Sequence, residues 1–159
     1  MLALFPTPTD LATDHDLIRR RRYGRIECRQ GAFASLTFRP WPKRVWLAES
    51  RWLGNWQHRL RTGDWCRLYF NQPRGFDNYL SLIFVVSGRE ASFATFRAAV
   101  QTLDEIARIK DVDALLCDAS NERISPRLLQ RWGWQSHAPS LPGRNYIKRL
   151  RQPFSWQAS

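Results

Sequence analysis

Residues 79–118 constrain the fold most. Leu80–Val86 is an almost unbroken apolar run. A run of that length fits a strand covered on both faces, which belongs in the middle of a sheet. Beyond it, Phe93, Phe96, Val100, Leu103 and Ala107 recur at intervals of 3, 4, 3 and 4 residues. That spacing puts one apolar stripe along a helix and leaves Asp104, Glu105 and Arg108 pointing away from it. Ser92, or Ser87 with Glu90, supplies an N-cap. Asp113–Asp118 then reads as a short strand through Ala114, Leu115, Leu116 and Cys117. Strand, striped helix, strand is the pattern of a right-handed crossover between parallel strands. A mixed α/β (α+β) sheet with helices laid on it is therefore expected.

The flanking sequence adds elements to this centre. Tyr23–Arg29 alternates, with Tyr23, Arg25, Glu27 and Arg29 on one side and Ile26 and Cys28 on the other. After a Gln30-Gly31 turn, Phe33–Arg39 alternates again, Phe33, Ser35, Thr37 and Arg39 opposing Leu36 and Phe38. Residues 44–60 read as a helix mixing Trp46, Trp52 and Trp56 with Arg44, Arg51 and Arg59. Trp65–Phe70 and Tyr79–Val86 are joined by a stretch holding Pro73 and Gly75. Ser125-Pro126 opens a short helix and Gly133 closes it. Asn145–Leu150 is a last strand. The expected organisation is a loose basic leader over residues 1–22, one domain over 23–152 and a tail over 153–159.

Composition narrows the class. The 159 residues are 43% hydrophobic and include eight Trp and nine Phe, so a packed core is expected rather than disorder. No run approaches the ~20 apolar residues that span a bilayer, and the first residues lack a basic, apolar signal segment. Cys28, Cys66 and Cys117 form no CxxC pair, so they read as small buried hydrophobes in a reduced, cytoplasmic protein. The formal charge of +11 is divided. Residues 17–61 hold twelve basic and two acidic groups, and residues 123–159 hold seven basic groups and no acid. Such blocks attract polyanions. Arg19, Arg20, Arg21 and Arg22, with Arg44 and Arg51, are candidate nucleic-acid contacts. Their bland reading is a solvated, charged surface.

Three stretches in residues 79–150 together resemble the GNAT family of acyl-CoA N-acyltransferases. Leu80–Val86 stands where that family has the central strand that pairs with the pantetheine arm. Arg89-Glu90-Ala91-Ser92-Phe93-Ala94 is similar to its pyrophosphate-loop pattern, Arg89 and Ala94 matching and Ser92 replacing the middle glycine. Ala114–Asn121, a short helix and Gly133-Trp134 resemble the strand, Asn, helix and Gly-aromatic ending. The resemblance implies a single mixed-sheet domain, acetyl-CoA or another acyl-CoA as donor, and an unidentified amine as acceptor. It implies cofactor contacts from Val85, Val86, Ser87, Gly88, Arg89, Ser92 and Asn121. Asp118, at the end of its strand, is the first candidate for catalytic base and Glu49 the second. The helix before Gly133 reads Arg127-Leu128-Leu129 and lacks the tyrosine that some members use as acid. The antiparallel first half is expected to be one strand short, with Tyr23–Arg29 as an extra. Two functions stay open: an N-acyltransferase, intact or catalytically degenerate, and a non-catalytic basic domain of that shape binding nucleic acid or another polyanion.

Overall fold

The computed structural model describes residues 10–43, 62–118, 125–137 and 145–151. The helix expected over residues 44–60, and with it Arg44, Glu49 and Arg51, lies outside the described residues, as does Asn121. Described elements run α1 (His15–Arg20), β1 (Tyr23–Arg29), β2 (Ala32–Arg39), β3 (Trp65–Asn71), β4 (Tyr79–Ser87), α2 (Phe93–Ile109), β5 (Ala114–Asp118), α3 (Pro126–Arg131), β6 (Gln135–Ser136) and β7 (Asn145–Arg149). The seven strands form one mixed sheet in the order β2-β1-β3-β4-β5-β7-β6.

The crossover is where the sequence places it. Strands β4 and β5 are parallel and α2 connects them. Ala99, Val100, Leu103, Ile106 and Ala107 of α2 are buried against β1, β2 and β3. Cross-strand partners share a face. The pairs Gly24–Phe70, Ile26–Leu68 and Cys28–Cys66 therefore lie together on the α2 side, and all six residues are buried. The opposite side of the same strands carries Arg25, Glu27, Arg67 and Tyr69.

Two bulges alter the expected alternation. Glu27 pairs with Ser35 and Cys28 with Phe33, which leaves Ala34 as an extra residue in β2. The bulge turns Phe33 to the same face as Leu36 and Phe38, where it packs against the core. In β4, Tyr69 pairs with Phe84 and Phe70 with Leu82, so Ile83 is the extra residue. The antiparallel half is not one strand short: β1 is inserted between β2 and β3, giving four strands before the crossover.

The stretch expected as a loose leader contains α1. Ile18 is fully buried, and the Lys110 ammonium donates to the carbonyls of Ile18, Arg19 and Arg21 at 2.9, 3.3 and 2.7 Å. In return Arg19 Nε donates to Ile109 O at the end of α2, at 2.9 Å. The carbonyls of a last helical turn have no partners within the helix, and a cation satisfies them. No described helix is long and apolar enough to cross a membrane.

Asp104 also departs from expectation. It is buried rather than solvated, 2.6 Å from Lys148 Nζ of β7. Its other oxygen, Oδ1, is buried without a partner.

Candidate functional site

The pairing between β4 and β5 is short. It runs from Tyr79–Ala114 to Leu82–Cys117 and stops, while β4 continues to Ser87. The Ile83 bulge sits where the strands part. Ile83–Ser87 thus keep β3 on one side and have no described strand on the other. Gly88 N donates to Trp65 O at 2.8 Å, which fixes which backbone groups face β3. Since alternate residues of a strand turn their N–H and C=O to opposite edges, Val86 faces β3, while Val85 and Ser87 face the parted edge. Of the expected backbone contacts, Val85 and Ser87 turn their backbone groups to this edge and Val86 turns to β3.

The turn between β4 and α2 is built differently from an open anion seat. Ser92 is the N-cap of α2, its hydroxyl accepting from Thr95 N at 3.2 Å. The Asp64 carboxylate reaches over from the start of β3. Its Oδ1 accepts from Ser92 N at 2.8 Å and its Oδ2 from Ser92 Oγ at 3.0 Å. Hydrogen bonds from the Thr95 hydroxyl and the Ser92 amide hold the Asp64 carboxyl below its ordinary value. The Glu90 carboxylate accepts from Gly63 N at 2.7 Å, clipping the 62–64 segment to the same turn. Gly88 must be glycine here, since a Cβ would collide with Gly63 O. A helix N-terminus favours a negative group, and in this chain an internal carboxylate supplies it. Ala91 N is also engaged, by Gly88 O at 3.2 Å. The amides of Phe93 and Ala94 lie in the first turn, where a helix offers them no partner.

Next to this turn is an aromatic step that the apolar stripe hinted at only in part. Phe93 is 57% exposed rather than core, and its ring is 5.7 Å from that of Trp132. Phe96 lies 5.2 Å from the same indole. Trp132 is the C-cap of α3 and Gly133 follows with a φ of +86°, a left-handed conformation that suits glycine.

The remaining candidates are dispersed. Arg89 and Glu90 are exposed. Asp118 ends β5 opposite Asn145, beyond the last residue paired with β4. The arginine run is split: Arg19 is tied to Ile109 and Arg22 pairs with Asp77 at 2.7 Å, while Arg20 and Arg21 are exposed. Cys28 and Cys66 are buried, and burial pushes the Cys66 thiol up to about 12. Cys117 is half-buried.

The sequence reading passed over the face of β1, β3 and β4 opposite α2. Arg25, Arg67 and Tyr69 project from it, and Lys43 is held above it. Alternation had placed Arg25 and Glu27 there, but their neighbours come from strands dozens of residues away. Burial alone would raise Glu27, and the hydrogen bonds and charges of Arg67 and Arg29 outweigh it and leave the carboxyl below its ordinary value. Arg67 also lies over the Trp65 ring at 4.9 Å.

Compared with known proteins, the structure is similar to that of a nourseothricin acetyltransferase, with a TM-score of 0.46 and 10% identity over 94% of this chain and 100% of that one. No family model matches the sequence, and no curated protein does.

Proposed function

We propose that this chain is a GNAT-type N-acyltransferase that takes its acyl group from a pantetheine thioester such as acetyl-CoA. The observation that carries the reading is the parting of β4 from β5 after Leu82–Cys117, with a bulge at the branch point and the backbone of Val85 turned to the opening. An extended pantetheine arm is an amide chain, and a strand edge that no described strand covers suits such a chain. The two ends of the donor fit unequally. The opening suits the arm. The turn at 88–92 is a poor diphosphate seat, because the Asp64 carboxylate holds Ser92 N. The Phe93 and Ala94 amides and the exposed Arg89 are the groups left for phosphate.

The thioester supplies an activated carbonyl. The acceptor amine adds to that carbon, a C–N bond forms, the C–S bond breaks, and the thiolate leaves with the electron pair. In this reading the Val85 N–H stabilises the oxygen as it gains charge. The amine must shed a proton on attack, and Asp118 at the mouth of the opening is the candidate base. Asn121 and Glu49 keep the roles the resemblance gives them.

Isothermal titration of the folded protein with acetyl-CoA tests the reading. Saturable binding by the folded protein is expected. Absence of heat at millimolar acetyl-CoA refutes it.

A further inference from the structure

The face of the sheet opposite α2 gathers cations that have no counter-ion among the described residues. Its central row is Thr37–Arg25–Tyr69–Phe84, read across β2, β1, β3 and β4 by register. The Tyr69 and Phe84 rings are 6.0 Å apart. Lys43 Nζ lies 5.7 Å from the centroid of the first and 5.4 Å from that of the second. Arg39 Cζ is 5.6 Å from the Tyr69 ring. Lys43 is anchored there rather than drifting in solvent. The Asn71 carboxamide accepts from Lys43 N at 3.1 Å and donates to Lys43 O at 3.0 Å. Arg25 stands beside Tyr69 with its Nε buried and, among the described residues, unpartnered.

Among the described residues, the acid on this face is Glu27, and it is already claimed by Arg67 at 2.7 Å and Arg29 at 2.5 Å. Arg25, Arg39 and Lys43 make no ion pair with any described residue. All three are half-buried, so water screens their mutual repulsion less well than at an open surface. The rings offset part of that cost through cation–π attraction. A buried guanidinium N–H without an acceptor is a cost that a ligand oxygen removes. The row ends at Phe84, one residue before Val85.

We propose that Arg25, Arg39 and Lys43 bind an anionic group, phosphate or carboxylate, carried by the amine that accepts the acyl group. This rests on the acyltransferase reading, and it fixes the acceptor's class as a small anionic amine rather than a polycation. The cations surround one aromatic pair instead of forming a track, which favours a single anionic group over a nucleic-acid strand.

The test has a binding arm and a turnover arm, both on the full chain. Inorganic phosphate is titrated into isotopically labelled protein, with the Arg39→Gln/Lys43→Gln double variant and Arg108→Gln as a distant control, each checked for folding by circular dichroism. Saturable shifts at Arg25, Tyr69 and Phe84 are expected, weakened about tenfold or more in the double variant and unchanged in the control. Shifts centred on the first turn of α2, or equal affinity in the double variant, overturn the proposal. In the second arm, thiol release from acetyl-CoA is followed with ethanolamine, O-phosphoethanolamine and β-alanine. A preference for one of the anionic amines supports the proposal and separates phosphate from carboxylate. Equal turnover of ethanolamine overturns it and leaves the acyltransferase reading standing. Phosphate binding at the row in a protein that does not bind acetyl-CoA sinks the acyltransferase reading instead, and the acceptor assignment falls with it.

Discussion

The contact between Lys110 and α1 makes a prediction about pH. A helix of six residues does not hold itself together in water. What holds α1 is Ile18 in the core, Arg19 on the end of α2, and the Lys110 amine on three carbonyls. Burial lowers the Lys110 pKa from 10.5 to about 8; the nearby Arg22 charge pushes the same way, and Asp77 pushes against it. The folded state then releases the proton near pH 8, while the unfolded chain keeps it to 10.5. Between those values the unfolded chain binds more protons, so stability rises with pH. From pH 7.5 to pH 9 the single-site linkage gives a gain of about 1 kcal/mol. Cys66 acts with the opposite sign, because it ionises in the unfolded chain around 9 while its folded value is about 12, so it offsets part of the gain as pH 9 is approached and more above it. The window to measure is therefore pH 7.5–9. Urea denaturation at several pH values reads it. Lys110→Met should flatten the rise and, by leaving carbonyls short of a donor, cost about 3 kcal/mol at pH 7. Hydrogen exchange should place the loss in residues 15–21. A flat or falling profile in the parent protein, or the same rise in Lys110→Met, refutes the reasoning.

Other perturbations follow from the same structure. Lys148→Met strands the Asp104 carboxylate in the core and should destabilise by roughly 3–5 kcal/mol; adding Asp104→Leu should recover most of it, as thermal denaturation of both variants will reveal. Ser92→Ala removes the α2 N-cap and should cost about 1 kcal/mol in chemical denaturation, with little change if Thr95 N finds another acceptor. Asp64→Asn takes a negative charge from the turn where a donor diphosphate would approach. It should tighten acetyl-CoA binding by about fivefold in titration calorimetry, and weaker binding would mean that Asp64 organises the turn for the ligand rather than competing with it.

The parts of this fold that were legible are those whose signal is local and repeated. The α2 stripe, the Leu80–Val86 run and the Ser125-Pro126 and Gly133 caps each declare themselves within a few residues, and each element formed where expected, although Phe93 is exposed and only Leu80 of the run is fully buried. Bulges leave no such mark. Ala34 and Ile83 are ordinary strand residues, and only the partner strand makes one of them the extra residue. The bulge at Ala34 nevertheless moves Phe33 from one face to the other, and the bulge at Ile83 lies where the β4–β5 pairing ends. The sheet order was hidden for a related reason: a hairpin can offer either strand to the next one, and here it offers β1.

Charged residues were misread for a different cause. Periodicity assigns a face by averaging over a helix, and by that average Asp104 belongs in solvent. Its partner Lys148 lies 44 positions later, so the pair exists only once the sheet has closed. Asp64 and Ser92 are 28 positions apart and behave alike. The pattern at 89–94 was visible, yet the carboxylate that fills part of it comes from the far side of β4. Lys110 and the α1 carbonyls are separated by about ninety positions. In each case the decisive charge is supplied by a distant segment. The Arg25, Arg39 and Lys43 row is the converse, a place where folding assembles charge and supplies no described partner. A chain that pairs Asp104 and Glu27 with its own cations has the means to neutralise them. Leaving three of them half-buried on one face of the sheet is therefore a property of that surface in particular, and the proposed anion from outside the chain would complete it.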